Sequence, residues 1–321
     1  MTKRRKIITI IFIIIVITVI IGMYFKTTFF RKELHFVHSN ILNQYLYAWD
    51  RKLISQNMHV KTTVVGSPEA LGPYLIGQNS ADLVEVATVL AGIAYSKNSN
   101  VKIVGSLTKG GNADSVLVVR KESGIISPRN LKGKKVGTPG LAMTPTVLLR
   151  ELLNQKYGIK YDQVNFILKP LPILLSILDK GELDAVIVFN IFAYQASLNP
   201  KFLILMDIDE EAKNFLIGDY PIVALLASNE DTLVHRGWEI KEILGLIKES
   251  NNYALTHKDE IARNLALDFD LDRETYKKYA FKTQPANIHL TNKEKENILK
   301  ILSIGYKQGL LEQKVGDEIF W

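Results

Sequence analysis

The stretch Lys135-Val-Gly-Thr-Pro-Gly-Leu-Ala-Met-Thr-Pro-Thr-Val-Leu-Leu-Arg-Glu-Leu-Leu-Asn-Gln-Lys-Tyr157 reads as a strand, a turn and a helix. The strand is Lys135–Gly137 and the helix Thr144–Tyr157. Between them lie Gly137-Thr138-Pro139-Gly140 and Met143-Thr144-Pro145, residues that break periodic structure and start helices.

The same alternation of apolar run, polar turn and amphipathic run extends in both directions. Strands are expected at Leu34–Val37, His59–Val65, Leu83–Ala87, Lys102–Ser106, Val116–Arg120, Val164–Ile167, Ala185–Val188, Leu203–Met206 and Ile222–Ala227. Helices are expected at Ile41–Gln56, Pro68–Gly77, Leu171–Lys180 and Ile191–Leu198. Connections of only a few residues between strand and helix favour parallel sheets with helices on both faces, an α/β class. Beyond about Glu230 the pattern becomes helical, with Trp238–Tyr253, Lys258–Leu267, Arg273–Tyr279, Lys293–Gln308 and Glu312–Phe320 and no strand between them.

The 321 residues hold 40 Lys and Arg against 33 Asp and Glu, and no Cys. Seven of the basic residues (Lys3, Arg4, Arg5, Lys6, Lys26, Arg31 and Lys32) precede Glu33, the first acidic residue, so the remainder carries 33 of each sign. A neutral body with interspersed charges offers no basic stripe for nucleic acid. The lack of Cys removes disulfides, thiolate-ligated metals, a Cys nucleophile and a lipid-anchored Cys.

Ile7–Phe25 is a run of 19 uncharged, mostly branched or aromatic residues behind the basic cluster Lys3–Lys6. As a helix it would span about 28 Å, close to the roughly 30 Å apolar core of a bilayer. The expectation is a six-residue cytoplasmic tail (1–6), a transmembrane signal anchor (7–25), a stalk (26–32) and an extracytoplasmic body. A cleaved signal peptide is the alternative, although Gly22-Met23-Tyr24-Phe25-Lys26 has no small-x-small site.

Catalytic and metal motifs fail on inspection. Gly105-Ser106-Leu107-Thr108-Lys109-Gly110-Gly111-Asn112 lacks the Lys-Ser/Thr of a nucleotide loop, leaving a strand-exit turn or a backbone nest. Asp268-Phe269-Asp270-Leu271-Asp272 has Arg273 and Tyr279 where a calcium loop needs Gly and Glu, so Asp272 reads as a helix cap. The six His residues show no ligand spacing, and Gly-x-Ser-x-Gly is absent. The expectation is a protein with no catalytic residue, metal or cofactor.

What recurs is a polar turn where a strand meets a helix: His38-Ser39-Asn40, Gly66-Ser67-Pro68, Thr88, the Thr144 turn and Asn190. Taken singly, each is more often a helix cap than a donor to a ligand. Gathered on the carboxyl edge of two sheets, they would form an uncharged receptor for a small anion or zwitterion.

Two segments resemble a known family. Ser123-Gly124-Ile125-Ile126-Ser127-Pro128-Arg129-Asn130-Leu131-Lys132-Gly133-Lys134-Lys135-Val136-Gly137 and Lys180-Gly181-Glu182-Leu183-Asp184-Ala185-Val186-Ile187-Val188-Phe189 are similar to segments of periplasmic solute-binding proteins of ABC importers. The similar branch takes sulfonates, taurine or nitrate and is related to thiamine-pyrimidine binders. The resemblance implies two α/β lobes, 33–120 with 221–321 and 121–220, joined by crossover strands near Val119–Lys121 and Asp219–Pro221. It implies ligand capture by lobe closure, delivery to permease and ATPase subunits, and no enzymatic activity. By position, Ser39, Asn40, Ser67, Thr88, Gly111, Asn112, Met143, Thr144 and Asn190 would face the cleft. Phe189-Asn190-Ile191-Phe192 replaces the family's usual Trp-Glu-Pro-Phe/Tyr, which leaves the ligand class open. A fungal pyrimidine-synthase role would need a Cys-rich motif that the chain lacks. A ligand sensor acting through a separate transducer is the alternative function.

Overall fold

The computed structural model describes residues 33–40, 43–54, 58–66, 68–75, 81–97, 100–269 and 271–321. The expected tail, membrane span and stalk (1–32), and Ser67, lie outside the described residues.

The strands are β1 (Leu34–Ser39), β2 (Val60–Val65), β3 (Leu83–Ala87), β4 (Val101–Lys109), β5 (Ser115–Arg120), β6 (Lys135–Thr138), β7 (Asn165–Leu168), β8 (Ala185–Phe189), β9 (Phe202–Asp207), β10 (Ile222–Asn229) and β11 (Gln284–Pro285). The helices are α1 (Asn43–Asp50), α2 (Gly72–Leu75), α3 (Thr88–Lys97), α4 (Thr144–Tyr157), α5 (Leu174–Asp179), α6 (Ile191–Leu198), α7 (Ile208–Ala212), α8 (Glu230–Thr256), α9 (Lys258–Leu265), α10 (Arg273–Ala280) and α11 (Asn292–Lys307).

Two sheets result. One has the order β11-β4-β10-β3-β1-β2 and the other β7-β6-β8-β5-β9. Neither is wholly parallel. β10 runs antiparallel between β3 and β4, and β5 runs antiparallel between β8 and β9. These two strands follow the chain's passages from one sheet to the other. The ends of the parallel strands β1, β3, β6 and β8 and the beginnings of β5 and β10 therefore share one edge of their sheets.

The strand Ser115–Arg120, expected in the first lobe, pairs with the second sheet, so the first crossing is residues 110–114 rather than Val119–Lys121. The second crossing ends at Pro221, and the Gly110 N–H donates to the Pro221 carbonyl at 2.9 Å. Lys109 pairs with Asp219 at 3.3 Å beside it. A Cβ on Gly111 would collide with the Lys282 carbonyl, and one on Gly110 with the Asp209 carboxyl. Glycine is needed there for close approach.

One apolar cluster, including Leu34, Phe36, Leu46, Trp49 and Ile243, packs α1 and α8 on a face of the first sheet. A second cluster unites α3, α11 and α4. Gln308 Nε2, just past α11, donates to the Val147 carbonyl in α4 at 2.8 Å, so the C-terminal helices touch both sheets' layers. Full burial of each such large side chain contributes about 1.5–3 kcal/mol.

Two expectations need correction in the last third and one near the start of the body. A two-residue strand, β11, pairs with β4 between the helices. The helix expected at Glu312–Phe320 is a single 3-10 turn, Asp317–Ile319. Its backbone is used otherwise: Phe320 bridges to Ile103, and Trp321 N–H donates to the Ile103 carbonyl at 3.0 Å. The helix expected at Ile41–Gln56 stops at Asp50 instead of continuing through Ile54, while residues 41–42 and 55–56 lie outside the described residues.

Candidate functional site

At the shared strand edge a cavity of about 70 Å³ opens between the two sheets. It is lined by the polar residues Ser39, Glu85, Asp114, Ser115, Thr144 and Asn190. Its apolar wall is Ala87, Met143, Pro145, Phe189, Val223 and Ala224. That volume has room for roughly five waters or a small molecule of similar size. A larger depression of about 530 Å³ lies among α6, α9 and α10, lined by surface residues such as Lys258, Lys277 and Lys278, and does not touch the strand ends.

Apart from Glu85, which lies inside β3, each polar group is placed at an element end. Ser39 ends β1, Asp114 and Ser115 open β5, and Asn190 links β8 to α6. Thr144 begins α4, whose cap residue Met143 is extended and makes no side-chain cap bond. The Thr144 hydroxyl, on a residue 1% exposed, has no hydrogen-bond partner. Asn190 also makes no cap bond and has φ +53° with ψ −129°, a region L-residues rarely adopt. Strain of about 1–3 kcal/mol is retained at such positions when the surroundings hold them. Here the Asn190 N–H donates to the Asp114 carbonyl at 2.9 Å, and Thr283 Oγ1 reaches Asn190 Oδ1 at 3.2 Å. Neither Thr144 nor Asn190 is thus a side-chain cap.

Of the residues expected from sequence, the cavity brings together Ser39, Met143, Thr144 and Asn190. Thr88 is buried beside them but donates its hydroxyl to the Ile222 carbonyl at 2.6 Å, fastening α3 to the start of β10. Gly111 sits in the crossing against Lys282, Asn112 is exposed, and Asn40 does not line the cavity.

The expectation of an uncharged receptor is corrected by Glu85 and Asp114, buried acids that the turn pattern did not single out. The signal was available in Leu83-Val84-Glu85-Val86-Ala87, where one acid interrupts an apolar strand. Glu85 accepts from Ser39 N–H at 2.8 Å and from Ser39 Oγ at 3.1 and 3.2 Å. Burial pushes its carboxyl up, against the pull of the His38 charge and the Ser39 donors. Behind Ser39, His38 is fully buried, with Nδ1 2.9 Å from the Ser39 carbonyl and Nε2 3.0 Å from Asp50 Oδ1. Both neighbours are acceptors, so both nitrogens carry protons in the imidazolium form. Burial opposes that charge, but the Asp50 hydrogen bond and charge, with Glu85 and the Ser39 carbonyl, lift His38 above its usual range.

Asp114 accepts from Thr283 Oγ1 at 2.7 Å. Burial pushes it up to about 6, partly offset by Thr283 and the Lys282 charge. Asp209, also fully buried, is pushed well above the carboxylate range by burial and by the neighbouring Asp114 and Asp207. Among the described residues no group of three or more His, Asp or Glu side chains could hold a metal ion.

A family model described as NMT1/THI5 like matches residues 63–261, more than half the chain. The chain belongs to the NMT1/THI5-like family. Among solved structures, the alkanesulfonate-binding protein SsuA of Xanthomonas axonopodis pv. citri, bound to MOPS, aligns with a TM-score of 0.76 at 16% identity, covering 91% of this chain and 98% of that one. The periplasmic aliphatic sulphonate binding protein SsuA of Escherichia coli aligns with a TM-score of 0.73 at 16% identity, over 91% and 92%. The ligand-binding component of an ABC-type import system from Staphylococcus aureus gives 0.69 at 16%, over 91% and 97%. These likenesses establish the two-lobed periplasmic-binding-protein-like α/β fold. A 4,5-dihydroxyphthalate decarboxylase of Comamonas testosteroni is 38% identical over 53 residues, a match spanning only 16% of each chain.

The buried acids make stability depend on pH with a defined sign. Asp114 has a folded value of about 6 against about 3.9 when unfolded, so its contribution is fully present below about 3.9 and lost as pH rises through about 6. Asp114→Asn keeps an acceptor for Thr283 and removes this loss. Denaturant melts should show the variant gaining on wild type by on the order of 2 kcal/mol between pH 4 and pH 7.5. A difference that stays constant across that range would show that Asp114 is ionised at the ordinary value.

Proposed function

We propose that this chain is an extracytoplasmic solute-binding protein that captures a small polar ligand by lobe closure and delivers it to the permease and ATPase of an ABC importer. The observation that carries the reading is the cavity itself. Its polar lining comes from both sheets, it adjoins both crossings, and it contains the unpartnered Thr144 hydroxyl and the strained Asn190. Family membership and the likeness to ABC-importer binding proteins support the same reading. A lobed cleft with hinge segments suits binding by closure. The lining is a small set of polar groups on an otherwise apolar wall, the composition of a site that binds and orients a ligand.

In this proposal Ile7–Phe25 tethers the body to the outer face of the cell membrane, replacing a lipid-anchored Cys. Among the described residues no helix is long and apolar enough to cross a membrane, and the span itself lies outside them. The full chain should pellet with membranes after a high-salt wash, because apolar attachment is not screened. A soluble chain starting between Lys26 and Glu33 would show that the segment is cleaved.

The site is tested by Thr144→Ala and Asn190→Ala. Because neither side chain caps its helix, both variants should weaken ligand binding about tenfold or more in calorimetric titration, with a small change in denaturant midpoint for Thr144→Ala and a larger one for Asn190→Ala, which loses the Thr283 contact at a positive φ. Intact affinity in both, with stability lost instead, would remove them from the site.

A further inference from the structure

The charges around the cavity are unbalanced. Glu85, in the middle of the first sheet, and Asp114, at the head of β5 in the second, are 4% and 3% exposed and face the same small cavity. No Lys or Arg lines it. The His38 charge lies behind Ser39 and is matched by Asp50 at 3.0 Å. The donors that reach the two acids from the protein, Ser39 and Thr283, leave lone pairs free, since a carboxylate has about four acceptor sites. Two buried acids contributed by different sheets, with the positive charges that act on them, His38 and Lys282, outside the cavity lining, are costly as carboxylates until a cation enters the cavity. A second group points to the same conclusion: the Thr144 hydroxyl, buried and without a partner, borders the cavity at the start of the 14-residue helix α4.

Resting on the binding reading above, we infer that the ligand carries a protonated amino group accepted by Glu85 and Asp114, and an oxygen-bearing end that receives the Thr144 hydroxyl. The ligand is therefore a small zwitterion, and a plain anion of equal size is rejected. The rejection is electrostatic: an anion without the ammonium would face two buried acids with no Lys or Arg in the lining to offset them. Lobe closure would be driven by the same contact, because Glu85 and Asp114 belong to different sheets and one ammonium group engages both.

The test uses the full chain in detergent and two matched pairs, taurine with ethanesulfonate and β-alanine with propionate. Thermal shift and calorimetric titration should give the amine-bearing member of at least one pair tenfold or greater affinity over its partner. Glu85→Gln and Asp114→Asn should each weaken that member about tenfold to a hundredfold, the cost of losing one charged hydrogen-bond partner. Melts of the free variants confirm that they remain folded, and the wild-type pairs carry the test independently if one does not. Equal binding within both pairs, or tighter binding of the amine-free members, overturns the amino-group inference while leaving the binding reading intact. No response to any of the four overturns the inference, and the binding reading then stands or falls on the Thr144 and Asn190 variants with other solutes.

Discussion

The Gly110 N–H to Pro221 carbonyl hydrogen bond, 2.9 Å long, ties the chain's two crossings into one joint, and the arrangement of both sheets depends on it. Each sheet is completed by a strand that has just come through that joint, β5 in one and β10 in the other, and each runs against its neighbours for that reason. The strand ends and helix starts that face the cleft are consequently held in register with the joint. A turn of either lobe about it would move Ser39 and Glu85 relative to Thr144 and Asn190 with little change in either sheet. Glycine at positions 110 and 111 lets the joint pack against Asp209 and Lys282 without a side chain between them.

Acidic groups are concentrated around this joint. Asp207 receives the Ala113 N–H at 2.7 Å, Asp209 packs on Gly110, and Asp114 heads the strand that leaves it. Burial raises all three toward the protonated form. Removing carboxylates from water is expensive, and a fold that needed only rigidity would place apolar residues here. Of the three, Asp114 also lines the cavity, so the acidic cluster at the joint reaches the cleft.

Much of the fold was legible where local chemistry and tertiary structure agree. Helix α4 runs from Thr144 to Tyr157 as read from sequence, because Pro145 sits in its first turn and Gly158, at φ +67°, stops it. Ser39, Met143, Thr144 and Asn190, which line the cavity, stand out by the same logic, since strand-to-helix turns are marked by their residue types. Glu85 and Asp114 were missed because that logic searches turns for donors and passes over an acid inside a strand. The C-terminal segment was misread because a helical period survives in residues 312–320 while the backbone there bonds to Ile103 instead. The placement of β5 was misread because pairing partners across a crossing leave no trace in local periodicity.

The central claim is that the two sheets move about the paired crossings to close on a ligand. With no Cys in the chain, Ala70→Cys and Leu141→Cys introduce two unique thiols at exposed positions in the segments that follow β2 in one sheet and β6 in the other, and spin labels on them report the distance between lobes by pulsed electron resonance. A saturating solute should move the distribution to a shorter, narrower distance. The same distribution with and without a solute shown to bind would contradict the account.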